Sequence, residues 1–428
     1  MRVLIIGGGG REHALAWKVA QSDRVQKVYV APGNAGTSLE NKCENIAIDA
    51  GAVSELADFA QRESIDLGIV GPEAALVDGI VDVFTSRGLK CFGPTQGAAR
   101  LEGSKSFTKA FLMRHGIPNA EYQTFSELES AAAYIHKKGA PIVVKADGLA
   151  AGKGVTVAHS IDDAIDAVKD CFATKKFGAA GQQVVIEDFL QGEEASFICM
   201  VDGEHILPLA TSQDHKARDD ADRGPNTGGM GAYSPAPVVS TEVHEKIMRQ
   251  IIQPTVAGLA AEGMPYTGFL YAGLMIDASG GPFVIEYNCR LGDPETQPIL
   301  MRLKSDLVSL CEAAIEGNLN KTEAIWDERP ALGVVLAAGG YPGAYQKGDV
   351  ISGLDDIEDD AVKVFHAGTA GGDPITTNGG RVLCVTALGD NIAAAQKKAY
   401  ASVEKIHWQN MYCRRDIGYR AVSRSTED

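Results

Sequence analysis

VIEYNCRLGDPETQ, residues 284–297, is the stretch on which the reading of this chain turns. Ile285 to Cys289 reads as a β-strand, and side chains on a strand alternate between its two faces. Glu286, Asn288 and Arg290 therefore share one face, while Ile285, Tyr287 and Cys289 share the other. A carboxylate and an amide carbonyl two steps apart are hard oxygen donors of the kind Mg²⁺ takes. Arg290, one step beyond, offers a planar fork for a carboxylate or a phosphate. A solvated outer face is the plainer alternative. The segments on either side decide between them.

The chain has 428 residues and a formal net charge of −16, with 45% hydrophobic and 22% charged residues. That length exceeds what one core usually supports, so two to four domains are expected. The acidic balance argues against a general nucleic-acid binder, which needs a basic stripe, but a few local Lys and Arg can still receive anionic substrates. The eight cysteines form no CxxC pair and lie mostly in apolar runs, so they read as free thiols in a reducing compartment. Val3–Ile6 is too short for the apolar core of a signal peptide, and no apolar run approaches the roughly 20 residues a membrane span needs. A cytoplasmic protein is expected, with neither membrane nor nucleic-acid partners.

Toward the N-terminus, VLII (3–6), KVYVA (27–31), NIAI (45–48), LGIV (67–70) and KCF (90–92) read as strands, with helical patterns at 11–20, 53–62 and 76–87 between them. This alternation predicts a parallel sheet. Its first turn, GGGGREHA (7–14), opens a helix and is a ready anion site. It is not a dinucleotide fingerprint, because GxGxxG would need glycine where Glu12 or His13 stands. A phosphate or phosphosugar near Arg11 fits better. APGNAG (31–36) and VGPEAAL (70–76) follow two further strands at the same edge, where open α/β sheets place ligands.

From residue 103 the pattern changes. GSKSFTKAFLMRHGIP (103–118) predicts a Ser-capped helix. Strands at 120–124, 141–146, 155–158 and 183–190, with helices at 126–139 and 161–172, predict a small α+β module. PIVVKADGLAAGKG (141–154) carries Lys145 at the end of a buried strand, then a glycine-rich loop with Gly148, Gly152, Lys153 and Gly154. Backbone N–H groups of such a loop can wrap a polyphosphate, and it can act as a lid. It is not a Walker A loop, since Gly154 stands where Ser or Thr is required. Glu187, Phe189 and Leu190 suggest a strand edge whose backbone reads adenine, and Glu194 suggests an acceptor for ribose hydroxyls. The stretch 212–237 is predicted to be a long irregular loop enclosing a substrate, with Asp214 and His215 as candidate general bases or amine-binding groups. ALGVVLAAGGYPG (331–343) opens another domain, which carries GRVLCVTALG (380–389) and a helix of about 391–406.

Taken together, GGGGREHA, PGNAG, GPE, LEGSKSFTK, KADGLAAGKGV, EDFLQGEEASF, TSQDHK, GPNTGGMGAYSP and NCRLGDPETQ resemble the phosphoribosylamine–glycine ligases (glycinamide ribonucleotide synthetases), ATP-grasp enzymes of purine biosynthesis. The resemblance runs from residue 1 to GRVLCVTALG and CRRDIG, and is most specific in 224–235 and RLGDPET. Leu291 departs from it, where Phe is expected. The resemblance implies an N-terminal α/β (pre-ATP-grasp) domain at 1–102, an ATP-grasp domain at 103–122 and 191–328, an inserted α+β lid at 123–190, and a small α/β C-terminal domain at 329–428. It implies that ATP, glycine and 5-phosphoribosylamine give ADP, phosphate and glycinamide ribonucleotide through a glycyl phosphate.

On that reading Arg290, Asp214 and Lys145 are the catalytic residues. ATP is held by Lys105, Lys145, Gly148, Gly152, Lys153, Gly154, Glu187, Phe189, Leu190 and Glu194. Mg²⁺ or Mn²⁺ sits on Glu286 and Asn288. Arg290 holds the glycine carboxylate or its phosphate, and Asp214 its ammonium. Asp293 with Gly9, Gly10, Arg11, Glu12 and Asn34 holds the phosphoribosylamine. A second metal carboxylate, common on the preceding strand of ATP-grasp relatives, is missing, because YAGLMID is apolar until Asp277. The expected assembly is a monomer or weak homodimer. A different ATP-grasp activity, or a nucleotide-binding regulator without catalysis, would be the rival readings.

Overall fold

The computed structural model describes residues 1–149, 154–173 and 183–424. Its first unit runs β1 (Arg2–Gly7), α1 (Gly10–Ala20), β2 (Lys27–Pro32), β3 (Cys43–Asn45), α2 (Val53–Arg62), β4 (Leu67–Val70), α3 (Glu73–Val77), α4 (Ile80–Ser86) and β5 (Cys91–Phe92). The strands form one parallel sheet, in the order β3-β2-β1-β4-β5. Two local expectations change. The third strand is Cys43–Asn45, not 45–48, because only 43–45 pair with β2. The helix expected at 76–87 is two helices, broken at Gly79, whose φ of +82° is left-handed.

α5 (Gln96–Gly103) and α6 (Lys105–Arg114) follow. Ser104 caps α6 by accepting the Phe107 N–H, which explains why the chain turns there. The inserted module is β6 (Tyr122–Phe125), α7 (Leu128–Lys138), β7 (Ile142–Ala146), β8 (Val155–Ala158), α8 (Ile161–Ala173) and β9 (Val184–Asp188). Its antiparallel sheet, β6-β9-β7-β8, has its own core of Phe125, Ile135, Ile142, Val144, Val168 and Ile186. This is the small α+β module that the sequence pattern predicts, at the place where the resemblance implies a lid.

The central and last units contain β10 (Glu193–Asp202), β11 (Ile206–Pro208), β12 (Gln213–Asp214), β13 (Ala217–Asp219), β14 (Arg223–Asn226), β15 (Gly231–Ser234), α9 (Thr241–Ile247), α10 (Gln253–Ala261), β16 (Thr267–Ile276), β17 (Pro282–Asn288), α11 (Thr296–Arg302), α12 (Leu307–Ile315), β18 (Ala331–Ala337), β19 (Val362–His366), β20 (Thr369–Ala370), β21 (Thr376–Thr377), β22 (Arg381–Leu388), α13 (Ile392–Val403) and α14 (Tyr419–Arg424). The central sheet is β11-β10-β16-β17, and the last is β12-β15-β18-β22-β19. The stretch 212–237 is thus not an irregular loop. β12 and β15 lengthen the C-terminal sheet, and β13 and β14 form a ribbon. Its charges mask the pattern, and β15 shows no alternation because Ala232 and Tyr233, side by side, are both buried. The segment therefore belongs to two units at once, which brings Asp214 and its neighbours from the C-terminal sheet to the central cleft.

Candidate active site

The hairpin β16–β17 forms the floor of a cleft of about 410 Å³, with the lid sheet and α6 on its other sides. From Glu286 onward its alternation is the one read from the sequence, whereas Ile285, expected on the far face, lies in a bulge and lines the cleft. Tyr287 turns away and its hydroxyl meets Thr255 Oγ1 at 2.5 Å, while Cys289 donates from N–H and Sγ to Glu102 Oε2 at 2.7 and 3.1 Å. Glu286, Asn288 and Arg290 line the cleft. A β-bulge adds one residue to β17 between Val284 and Glu286, opposite Gly273 and Leu274. The extra residue, Ile285, offers its carbonyl to Lys145 Nζ at 3.0 Å.

Three lysines face this floor. Lys145 ends β7 buried at 4% exposure, with Nζ 3.0 Å from Glu187 Oε1, and Lys109 Nζ on α6 lies 2.8 Å from Glu187 Oε2. Lys105 Nζ donates to the Gly148 carbonyl at 2.8 Å. Asp147 accepts from Ser106 N–H at 3.1 Å and Ser106 Oγ at 2.5 Å, pinning the start of the glycine-rich loop to α6. Gly148 and Gly154 both line the cleft. Gly152 and Lys153 lie outside the described residues. Burial pushes the Glu286 carboxyl up, but Lys216, Lys145 and Lys105 outweigh it and hold the carboxyl below its usual range.

The adenine-edge expectation shifts by two residues. Glu187 is centred in the lid sheet, paired with Tyr122 and Val143, so its backbone is spent in the ladder and its carboxylate serves the two lysines. Phe189 and Leu190, beyond the strand end, line the cleft with Val143, Val157 and Met275 as an apolar slot. Glu194 Oε2 pairs with Lys216 Nζ at 2.8 Å, and Lys216 reaches Glu286 Oε1 at 3.7 Å.

Asp214 faces the cleft, but its neighbour does not suit a general base. His215 is buried, its Nδ1 3.1 Å from the Gly231 carbonyl, and its Nε2 accepts the Gly418 N–H at 3.1 Å. Burial and the Arg414 charge push its pKa down to about 4. His215 is a neutral fastener between β15 and the C-terminal segment.

Arg290 is more committed than a free fork. Nε donates to Glu73 at 3.2 Å, Nη1 to the Leu291 carbonyl at 3.2 Å, and Nη2 to Glu102 at 2.8 Å and to Asn288 Oδ1 at 3.2 Å. One Nη1–H is left for a ligand, so the expected bidentate grip narrows to a single donor in this arrangement.

At the sheet edge, Gly9, Gly10 and Asp293 come together: a Cβ on Gly9 or Gly10 would lie 3.6 or 3.5 Å from an Asp293 carboxylate oxygen. Arg381, from β22, ties this corner by donating to the Asp293 carboxylate at 3.2 Å and to the carbonyls of Asp293 and Gly228. Arg11 lines the cleft while its Nε donates to Glu12 Oε1 at 2.6 Å. Glu12 and Asn34, expected to touch the substrate, are instead spent within the protein. Glu12 Oε2 accepts the Gly9 N–H at 2.6 Å, capping the start of α1. Asn34 Nδ2 donates to the carbonyls of Gly8 and His366 at 2.9 and 2.8 Å, and Oδ1 accepts the Thr37 N–H at 3.0 Å. Asn34→Ala is expected to destabilise the fold by about 1–3 kcal/mol, since it orphans buried carbonyls; urea melts would read this, and an unchanged midpoint would return Asn34 to the ligand contacts.

Sequence reasoning missed Glu73, Glu102, Lys109, Lys216, Glu295 and Arg381, all of which line the cleft. Lys109 was findable, standing four residues after Lys105 and so on the same face of α6. Arg381 had no local signal, since its partners lie 88 and more residues away.

The phosphoribosylglycinamide synthetase N, ATP-grasp (A) and C domain descriptions match residues 1–102, 103–296 and 331–420. The chain belongs to the phosphoribosylglycinamide synthetase family. It is 65% identical over 425 residues to a phosphoribosylamine–glycine ligase of Vibrio cholerae, covering 99% of both chains. Identity to the ligase of Escherichia coli K12 is also 65%, over 426 residues and 99% of both. Among solved structures, a phosphoribosylamine–glycine ligase from Thermotoga maritima superposes with a TM-score of 0.84 at 35% identity, covering 97% of this chain and 100% of that one. The biotin carboxylase domain of a Hydrogenobacter thermophilus 2-oxoglutarate carboxylase, solved with MgADP and bicarbonate, shares the fold alone, at a TM-score of 0.74 and 15% identity over 96% of this chain and 91% of that one. The family bears out the three-part α/β and ATP-grasp architecture read from the sequence. Among the described residues no helix is long and apolar enough to cross a membrane.

Proposed function

We propose that this family member performs the ligation its relatives are named for: glycine and 5-phosphoribosylamine are joined at the expense of ATP, giving glycinamide ribonucleotide, ADP and phosphate for purine biosynthesis. The observation that carries the reading is a single cleft in which Lys105, Lys145, Gly148 and Gly154 face Glu286 and Asn288, with Asp293 set against Gly9 and Gly10 at its far end. This leaves room for a nucleoside triphosphate, a small acid and a phosphosugar side by side.

A carboxylate is a poor electrophile, so the γ-phosphoryl group is first transferred to a glycine carboxylate oxygen, with ADP leaving. The amine of the sugar then attacks the acyl carbon, and phosphate departs with that oxygen. Such chemistry needs alignment and charge neutralisation more than a protein nucleophile. Lys145 and Lys105 supply positive charge beside the phosphates. Phe189 and Leu190 seat the base, Glu194 the ribose, and the lid sheet, with Gly148 and Gly154 at its edge, covers the chain of phosphates. Arg290 contributes one N–H to the glycine carboxylate, while Glu73 and Glu102 fix its plane. Asp214 receives the glycine ammonium, and Asp293, Arg11 and the Gly9–Gly10 backbone receive the sugar phosphate.

The donor set at Glu286 and Asn288 fits a hard divalent cation: the Glu286 carboxyl is held ionised and half-open to the cleft, and Asn288 Oδ1 has a lone pair beyond the one Arg290 uses. Mg²⁺, or Mn²⁺ in its place, would supply charge neutralisation at the ATP phosphates. Asp277 is bound into its own turn by Ser279 and Gly281, which supports a ligand set without it.

The domains divide as 1–102, 103–122 with 191–328, 123–190 and 329–428, with β12 and β15 as the crossing strands. The protein works in the cytoplasm on small molecules, without nucleic-acid or membrane partners, as a monomer or weak homodimer. The test is ADP release from MgATP with glycine, with and without freshly generated phosphoribosylamine. One ADP per glycinamide ribonucleotide, needing both substrates, is the expected outcome. ADP release indifferent to both would send the search to another acid and amine.

A further inference from the structure

The acidic side chains that line the cleft are almost all neutralised at close range. Glu73 and Glu102 have Arg290, Glu187 has Lys109 and Lys145, Glu194 and Glu286 have Lys216, Asp188 has Lys138 and Asp293 has Arg381, each with a nitrogen within 4.0 Å of a carboxylate oxygen. Two stand apart. Among the described residues, neither Asp214 nor Glu295 has a Lys, Arg or His nitrogen within 4.0 Å, although both line the cleft. Glu295 is 3% exposed, and its only hydrogen-bond donor among the described side chains is Ser196 Oγ, at 2.9 Å to Oε1. Asp214 Oδ1 is buried with no hydrogen-bond partner.

Glycine backbone packs closely on both carboxylates. Gly229, at a φ of +109°, passes so close to Asp214 that a Cβ would strike its Oδ1, and a Cβ on Gly292 would strike Glu295 Oε2. Burial and the neighbouring Glu295 charge hold the Asp214 carboxyl well above its usual range. A buried carboxylate is tolerated when something positive meets it, and among the described residues only the more distant Lys216 and Arg381 bear on Asp214. With two carboxylates and no third acidic, His or Cys side chain grouped with them as a metal site among the described residues, the pair suits an ammonium, which offers three donors, better than a divalent ion.

We infer that Glu295 is the second arm of the amino-group subsite, so that the glycine ammonium is received between Asp214 and Glu295 with Ser196 holding Glu295 in place. This deepens, and rests on, the ligase reading above. The arrangement selects for the ammonium, since a site built to bond a donor group rejects the analogue lacking it. Glycolate keeps the carboxylate of glycine and replaces its ammonium with a hydroxyl, so it brings no positive charge and only one donor to the two carboxylates.

The test is steady-state kinetics on the full chain with glycine, ATP and phosphoribosylamine varied separately, and with glycolate as a competitor. Glu295→Gln is expected to raise the KM for glycine at least about tenfold, while the KM values for ATP and the sugar stay within about twofold. It should also narrow the preference for glycine over glycolate by a similar factor, a change that a loss of folding does not produce. Asp214→Asn is the independent second variant and should move the same two quantities. An unchanged glycine KM and an unchanged glycolate preference in both variants, in an enzyme that still ligates glycine, would overturn the subsite and leave the ligase reading standing. A wild-type chain that makes no glycinamide product would overturn the ligase reading itself, and the subsite with it. A raised KM for the sugar alone would assign these carboxylates to the sugar amine and also overturn the proposal.

Discussion

Glu286→Ala is expected to lower turnover at least about tenfold at limiting Mg²⁺, a barrier increase of about 1.4 kcal/mol or more. Glu286 is the carboxylate that Lys216, Lys145 and Lys105 all influence, and it lies on the same strand face as Asn288. Removing it leaves three cations around the phosphates, so ATP affinity should fall little, or even rise. The loss should appear in kcat and in the Mg²⁺ concentration needed for half-maximal rate. Titrating MgCl₂ at saturating ATP reads both quantities. Near-normal activity at limiting Mg²⁺ would remove Glu286 from the ligand set, and chelation of the wild type with EDTA should abolish turnover reversibly.

The second large effect is at Arg290. Arg290→Lys should reduce kcat/KM about a hundredfold, or about 2.7 kcal/mol, although the charge is kept. An ammonium cannot reproduce a plane that holds Glu73, Glu102, Asn288 and the Leu291 carbonyl together. Glu102 is buried and already pushed upward by that burial, with Arg290 the main opposing charge. The variant should therefore lose stability too, by about 1–3 kcal/mol. Glycine affinity and turnover both within twofold of wild type would show that Arg290 neither meets the substrate nor orders the residues around it.

Much of this architecture was legible in the sequence, and the reasons differ by segment. The parallel sheet and the lid were readable because their strands are short, apolar and separated by amphipathic helices, so the side-chain period reports the element directly. β17 was readable because three polar residues on one face of a buried strand have few structural uses. The stretch 212–237 was misread because β12 pairs with β15, β15 in turn is held by β18 about a hundred residues later, and the glycines leading into β15 carry no alternation of their own. The same cause hid Arg381, whose partners are distant in sequence. Single residues failed for another reason. Glu12, Asn34 and His215 have the chemistry of ligand-binding groups, but sequence cannot tell a polar group facing a cleft from one consumed by neighbouring backbone. Their hydrogen bonds make that distinction: Glu12 caps α1, Asn34 joins two loops, and His215 fastens the C-terminal segment.

The central claim is that the cleft activates a glycine carboxylate by phosphorylation before the amine attacks. Glycine labelled with ¹⁸O in its carboxylate, supplied with MgATP and phosphoribosylamine, tests it directly by mass analysis of the products. The account predicts that one labelled oxygen leaves in inorganic phosphate for each glycinamide ribonucleotide formed, and the other stays in the amide carbonyl. Phosphate free of label, with ATP consumed and the amide formed, would contradict it.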